Sequence, residues 1–316
     1  MERMRDQSHD RTPASRAAAR LLIAVDMDGT LLDTETESRL RPREIAALDA
    51  ARAAGHVVAI CTGRNRRSVA RLLERSGWQP DDLPLVLLNG AIVDGGAGRG
   101  QLSFHTLAQP VLRRLVELFR EHDAVPMVYT TEDDSEVLLY ENSATNDVLR
   151  DYLEHRRLHV GGLEGHDDLL DVLPAAALEV GTIDLESVIR PLTDVLRREL
   201  PDRVRVINTR SLLGQQRYFW AEVYHPACSK GAGVQILADR FGIAPRDIVA
   251  IGDNFNDLDM FAVAGVSVAM RGGPTEVQAA ADRPADPVAQ SGAAAVLEDI
   301  AAGIFDLATD RRKESA

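Results

Sequence analysis

Between Leu21 and Leu88 the chain repeats one unit: a short apolar run, a polar turn, then a longer amphipathic stretch. Leu21–Val25, Val57–Ile60 and Leu85–Leu88 contain no polar residue, so they read as strands buried on both faces. Between the first two, residues 42–54 place Ile45, Leu48 and Ala51 at helical spacing, with Pro42 at the start and Gly55 just past the end. Residues 67–75 form a second helical stretch, stopped by Gly77. Strands that alternate with helices need right-handed crossovers and give a parallel sheet. The pattern returns after about residue 217. Trp220–Val223, Ile248–Ile251 and Ser267–Met270 read as strands, and residues 230–241, 257–264 and 293–300 as helices.

The middle of the chain follows another rule. Helical stretches at 111–122, 146–156 and 185–200 are mixed with strands at 126–130, 137–140, 178–181 and 204–208. The first two of these strands stand close enough for a hairpin, which implies an antiparallel sheet. The expected fold class is therefore α/β: a Rossmann-like parallel core in two parts, residues 20–94 and 216–303, interrupted by an inserted α+β domain at 95–215. Residues 1–19 read as a disordered extension and 304–316 as a frayed tail. The glycine-rich stretch 91–100 fits a flexible hinge and fits a plain solvent loop equally well.

Charge narrows the function. A net charge of -13 argues against a nucleic-acid partner, whose phosphates need a basic face. Two cysteines give no disulfide framework and suit a reducing compartment. The apolar run at Leu21 is too short to span a bilayer, and residues 1–20 lack the apolar segment of a leader. The expectation is a cytoplasmic protein without a membrane partner.

The chemistry gathers at strand ends. Asp26-Met27-Asp28-Gly29-Thr30 follows the first strand directly. In extended backbone, Asp26 and Asp28 share a face and project where open α/β sheets bind ligands; an acidic turn would use the same residues. Gly252-Asp253-Asn254-Phe255-Asn256-Asp257 follows another buried strand and offers oxygen donors suited to a hard cation. Helix capping accounts for one or two of these residues, not four. Thr62 could offer a hydroxyl and an N–H to a phosphate oxygen, or simply cap a helix. Lys230 opens a helix, where it opposes the macrodipole unless a carboxylate or phosphate stands beside it.

Asp-x-Asp-Gly-Thr (26–30), Thr-Gly-Arg (62–64), Ser-Lys-Gly (229–231) and Gly-Asp-x-x-Asn-Asp (252–257) resemble, in order and placement, the four motifs of the haloacid dehalogenase superfamily. Asn89-Gly90-Ala91 and Ser-Lys-Gly-x-Gly-x-x-x-Leu (229–237) resemble its Cof-type branch. The resemblance covers residues 20–300, with the middle matching only in position and size. It implies a phosphatase acting through an aspartyl-phosphate on Asp26, with Mg²⁺ as cofactor. Asp28 would be the general acid and base and lend its backbone carbonyl to the metal. Thr62 and Lys230 would hold the phosphoryl group. Asp253 would be the second carboxylate ligand, with Asn254, Asn256 and Asp257 in an outer shell. Gly63, Arg64 and Asn89 would face the substrate, although Arg64 also fits a solvated helix start and Asn89 a turn.

Spacing sets the subclass within that resemblance. Only 35 residues separate Asp26 from Thr62, while 167 separate Thr62 from Lys230, so the insertion occupies the position of a C2 cap. The implied substrate is a small phosphorylated metabolite, a sugar phosphate or similar. Phosphoryl transfer to an acceptor other than water uses the same motifs; a non-catalytic regulatory protein of this fold would be expected to lack Asp26, Asp28 or Lys230. One departure stands out: Arg271-Gly272-Gly273 replaces the Gly-Asn-Ala common after that strand in the branch. The eight histidines show no ligand spacing, Cys61 reads as a buried strand residue, and Trp78 and Trp220 as packing groups.

Overall fold

The computed structural model describes residues 20–34, 36–132, 135–142, 146–211 and 218–307; the extension at 1–19 and the tail from 308 lie outside them. β1 (Leu22–Asp26), β2 (Val57–Cys61) and β3 (Leu85–Leu87) alternate with α1 (Pro42–Ala53) and α2 (Arg66–Arg75). β4 (Ile92–Asp94) and β5 (Gln101–Phe104) follow as an antiparallel extension. The middle contributes β6 (Leu107–Ala108), α3 (Gln109–Glu121), β7 (Met127–Glu132), β8 (Ser135–Glu141), α4 (Asp147–His159), β9 (Leu163–His166), β10 (Ala176–Ala177), β11 (Glu179–Leu185), α5 (Glu186–Glu199), β12 (Arg205–Arg210) and β13 (Tyr218–Tyr224). The chain ends with α6 (Lys230–Phe241), β14 (Ile248–Gly252), α7 (Leu258–Val263), β15 (Val266–Met270), α8 (Thr275–Ala280), β16 (Arg283–Ala285) and α9 (Gly292–Ala301).

The larger sheet runs β16-β15-β14-β1-β2-β3-β4-β5 and is parallel from β16 to β3. Its central strands β1, β2, β14 and β15 are buried on both faces, and the period-2 alternation sorts their side chains between two helical layers. Ile23 and Val25 pack with Leu48 of α1, Leu72 of α2 and Leu297 of α9. Leu22 and Ala24 pack with Leu237 of α6 and Met260 of α7. That two-sided burial is why the runs read as unbroken apolar segments. At about 25 cal/mol per Å² of apolar area removed from water, each fully covered Leu or Ile contributes roughly 1.5–3 kcal/mol.

The second sheet runs β12-β13-β11-β7-β8-β9 and is antiparallel except between β8 and β9. α3 and α5 cover one face through Leu115, Phe119, Leu192 and Leu196. The opposite face carries Met127, Tyr129, Leu138 and Ile183, which join the same apolar cluster as Leu87, Leu88 and Ile92 of the larger sheet. No helix among the described residues is long and apolar enough to cross a membrane.

Two segments fall in a different place from the sequence expectation. β5 lies past residue 95 yet pairs with β4, so residues 95–100 of the glycine-rich stretch are the turn of a hairpin in the larger sheet. Trp220–Val223 forms a strand, but in the second sheet, between β11 and β12. The chain thus leaves the larger sheet after Phe104 and returns after Tyr224. His105 and His225, one on each crossing, stack with ring centroids 5.1 Å apart and planes 10° apart.

Candidate active site

Asp26 is the last residue of β1, and its register partner on β2 is Cys61, so Thr62 begins at the same level of the sheet. β14 lies on the other side of β1 and ends at Gly252, which brings Asp253 to the same edge. Three loops from adjacent parallel strands therefore converge at the carboxyl ends, the usual ligand position of such a sheet.

Lys230 reaches this edge from the start of α6, whose first turn is capped by Ser229 accepting from Ala232 N at 3.0 Å. Its Nζ donates to Asp26 Oδ1 at 2.5 Å and to Asp257 Oδ1 at 2.6 Å, and its side chain is 1% exposed. Burial alone would lower the ammonium's pKa, but Asp257 and Asp26 beside it raise it. The lysine is thus held charged where a generic surface lysine would be disfavoured by the helix end.

Asp257 is saturated by its neighbours. Its Oδ2 accepts from the N–H groups of both Asp253 and Asn254 at 2.9 Å, while Oδ1 takes the lysine. Asn254 closes the reciprocal half of a capping box, with Oδ1 also accepting from Phe255 N at 2.8 Å. These bonds fold the loop so that Asp253 faces Asp26. Thr30 fixes Asp253 from the opposite loop by donating Oγ1 to its Oδ1 at 3.0 Å.

Ligand oxygens of Asp26, Asp253 and Asp257 all lie within 4.8 Å of one another. Burial pushes the Asp26 carboxyl up to about 7, Asp257 adds to this, and Lys230 opposes it. Burial, then Asp26, raises Asp253 well above the ordinary carboxylate range. Three carboxylates around one ammonium leave a deficit of positive charge, and a divalent cation would remove it. The donor set is all oxygen, as a hard cation requires. Asp257 has few lone pairs left, so Asp26 and Asp253 are the side chains free to hold such an ion.

Gly29 shows how tight the loop is. It has φ +82°, and a Cβ there would stand 2.4 Å from Asp253 Oδ2. Gly273 is a second close approach, since a Cβ would lie 2.2 Å from the Asp253 carbonyl oxygen. The Arg271-Gly272-Gly273 segment therefore borders the site and braces the Asp253 loop.

Residues 23–297 match the family model of the haloacid dehalogenase-like hydrolases. The chain belongs to this family. Among its relatives, YxeH of Bacillus subtilis, which carries a phosphatase name, is 31% identical over 271 residues, covering 83% of this chain and 91% of that one. YitU of the same organism, a 5-amino-6-(5-phospho-D-ribitylamino)uracil phosphatase, is 27% identical over 287 residues, with 88% and 96% covered. The chloroplastic endoribonuclease YBEY of Arabidopsis thaliana is 27% identical over 266 residues, but the chain spans only 43% of its length. Among solved structures, SMU.1108c of Streptococcus mutans superposes with a TM-score of 0.74 at 19% identity, covering 90% of this chain and all of that one, a likeness of fold. As a haloacid dehalogenase-like hydrolase with these relatives, the chain is a phosphoric monoester hydrolase of the Cof type.

Other candidates take up more specific positions. Arg64 turns to Asp28, with Nε to Oδ2 at 2.7 Å and Nη2 to Oδ1 at 2.5 Å, so in this family member its fork grips a carboxylate. Asp28 consequently keeps its carboxylate outside the three-residue cluster. Thr62 Oγ1 accepts from Arg64 N at 3.1 Å. Gly63 lies against the Asn89 amide, 3.3 Å from where its Cβ would stand. Asn89, fully buried at φ 50°, donates to Tyr224 OH at 3.2 Å and accepts from Asn256 Nδ2 at 3.0 Å. Cys61 is buried and burial raises its thiol pKa, which makes it a packing residue. Thr30 and Tyr224 escaped the sequence reading; Thr30 sits inside the first motif, whereas nothing local marks Tyr224.

Proposed function

We propose that the protein is a Mg²⁺-dependent phosphatase of small phosphorylated metabolites, acting through a phosphorylated Asp26. The observation that carries this reading is the position of Asp26, which shares Lys230 with Asp257 and faces Asp253. Asp26 attacks phosphorus through a carboxylate oxygen, and the bond to the leaving alkoxide breaks. Asp28, protonated once its ion pair with Arg64 opens, gives that alkoxide a proton, then removes one from the water that hydrolyses the acyl phosphate. Before substrate binds, Arg64 holds the Asp28 carboxylate at the site through two parallel hydrogen bonds. Thr62 and Lys230 hold the phosphoryl oxygens, and catalysis is mostly positioning and charge stabilisation. Bound to Asp26 and Asp253, with the Asp28 carbonyl, Mg²⁺ would neutralise charge on the phosphoryl group. Asp257 keeps Lys230 and the Asp253 loop in place.

The second sheet serves as the cap that closes over this edge, shields the reaction from water and selects the leaving group. The phosphorylated ribityl compound named for the relative YitU supports a small organophosphate as substrate, a sugar phosphate or similar. The deciding experiment is phosphate release from a panel of phosphorylated metabolites with Mg²⁺. One compound, or a narrow set, should give a kcat/KM at least tenfold above the rest. No phosphate release from any member would sink the reading, and a phosphorylated co-substrate in place of free phosphate would make the protein a transferase.

A further inference from the structure

α2 begins directly after the Thr62-Gly63-Arg64 turn, and a helix start leaves backbone N–H groups without intrahelical partners. Asn65 satisfies one from within the turn, its Oδ1 accepting from Ser68 N at 2.7 Å. Two more are satisfied from the other sheet. The N–H groups of Arg66 and Arg67 donate to Oε1 and Oε2 of Glu136 at 3.0 and 2.9 Å. Glu136 lies on β8 and is 7% exposed, so its charge rests on the positive end of a helix to which its own sheet does not belong. A second link runs beside it. Asn65 Nδ2 hydrogen-bonds Tyr129 OH of β7, which also accepts from Arg156 Nη2 of α4 at 2.7 Å.

This grip reaches the chemistry through few steps. Arg64 donates Nη1 to Ser68 Oγ in the first turn of α2 at 3.2 Å, donates its N–H to Thr62 Oγ1, and holds Asp28 with its remaining nitrogens. A shift of the helix start therefore moves the phosphate-facing threonine and the arginine that aims Asp28 together. Displacements of about 1 Å at reacting groups cost up to about 10²-fold in rate.

We propose that Glu136 is a positioning residue for the phosphoryl reaction: docked on the start of α2, it sets the Thr62-Gly63-Arg64 turn, so cap placement and catalytic geometry are one event. The inference rests on the roles proposed above for Thr62 and Asp28. Its test compares full-length wild type, Glu136→Ala and Glu136→Gln with Mg²⁺ and p-nitrophenyl phosphate, alongside hydrogen exchange of the 62–67 backbone. Glu136→Ala should lower kcat about tenfold with KM changed less than about twofold, and exchange at 62–67 should accelerate. Glu136→Gln retains one acceptor oxygen and should recover part of both. A lower melting temperature with unchanged kcat, or unchanged exchange at 62–67 in Glu136→Ala, overturns the proposal. Exchange needs no turnover, so it still tests Glu136 if Asp26→Asn shows that the assignment of the nucleophile is wrong.

Discussion

The Nζ of Lys230 donates to Asp26 Oδ1 at 2.5 Å inside a site where the lysine is 1% exposed. This buried ammonium also serves Asp257, and removing it would leave two carboxylates uncompensated. Breaking a buried charge pair typically costs about 3–5 kcal/mol. Lys230→Met, which keeps the length of the side chain, should lower the melting temperature and cut phosphate release by at least about 10²-fold. Thermal unfolding and a phosphate assay check both, and near-normal turnover would remove Lys230 from the mechanism.

Asp26→Asn keeps the size of the side chain while deleting the nucleophilic oxygen charge. We expect turnover to fall by at least about 10³-fold with the fold intact. Intact mass after rapid acid quench should show a phosphorylated wild-type protein and an unmodified variant. A variant that still turns over substrate at a tenth of the normal rate would rule out Asp26 as the attacking group.

Metal dependence has a direction in pH. Burial, and then Asp257, push the folded Asp26 carboxyl up to about 7, far above the ordinary carboxylate range, and Asp253 is raised as well. A carboxyl raised on folding binds more protons in the native state, so its favourable contribution is complete below the unfolded value and is lost as pH rises toward 7. The metal-free protein should therefore lose stability from about pH 4 to 7 on account of this cluster. Mg²⁺ competes with those protons, so its stabilising shift in melting temperature should grow between pH 5 and 8. EDTA should silence the enzyme and Mg²⁺ restore it. A Mg²⁺-induced shift that is flat across this range would contradict the assignment of Asp26 and Asp253 as ligands.

Arg64→Lys tests the fork on Asp28. An ammonium cannot make two parallel bonds to one carboxylate, so the aim of Asp28 should loosen. We expect kcat to drop about tenfold, with a smaller change in KM. If instead KM alone rises, Arg64 binds substrate, one of the two readings its sequence position left open.

Gly29→Ala places a methyl group where Asp253 Oδ2 now lies, and does so at a positive φ. The backbone cost alone is about 1–2 kcal/mol. Calorimetric titration should show Mg²⁺ binding weakened by at least tenfold, because Asp253 must move. Unaltered binding would mean that the loop yields without disturbing the ligand.

The parallel core was legible because Leu22–Val25, Val57–Ile60 and Ile248–Ile251 are buried on both sides and carry no polar interruption. Helix α6 was equally plain, bounded by Ser229 and Gly242. The three-residue strands β4 and β16 are too short for a period to emerge from composition. β13 was readable as a strand but not as a member of one sheet or the other, since that choice lies in its partners β11 and β12 rather than in Trp220–Val223. The same limit governed the site. Motif residues close in sequence announced themselves, while the hold of Arg64 on Asp28 spans 36 positions and that of Glu136 on Arg66 spans 70. Nothing local to Glu136 distinguishes it from any other strand glutamate.

The stacked pair His105 and His225 also fixes how the larger sheet experiences the insertion. Loop-closure entropy depends on the separation of the ends and on the flexible length between them. In the folded chain the two crossings stand side by side, with His105 and His225 in ring contact, so the β-strands on either side are joined at that point. Changes of length inside the insertion, between those two rings, alter that closure term only slowly, by about 0.6 kcal/mol per doubling.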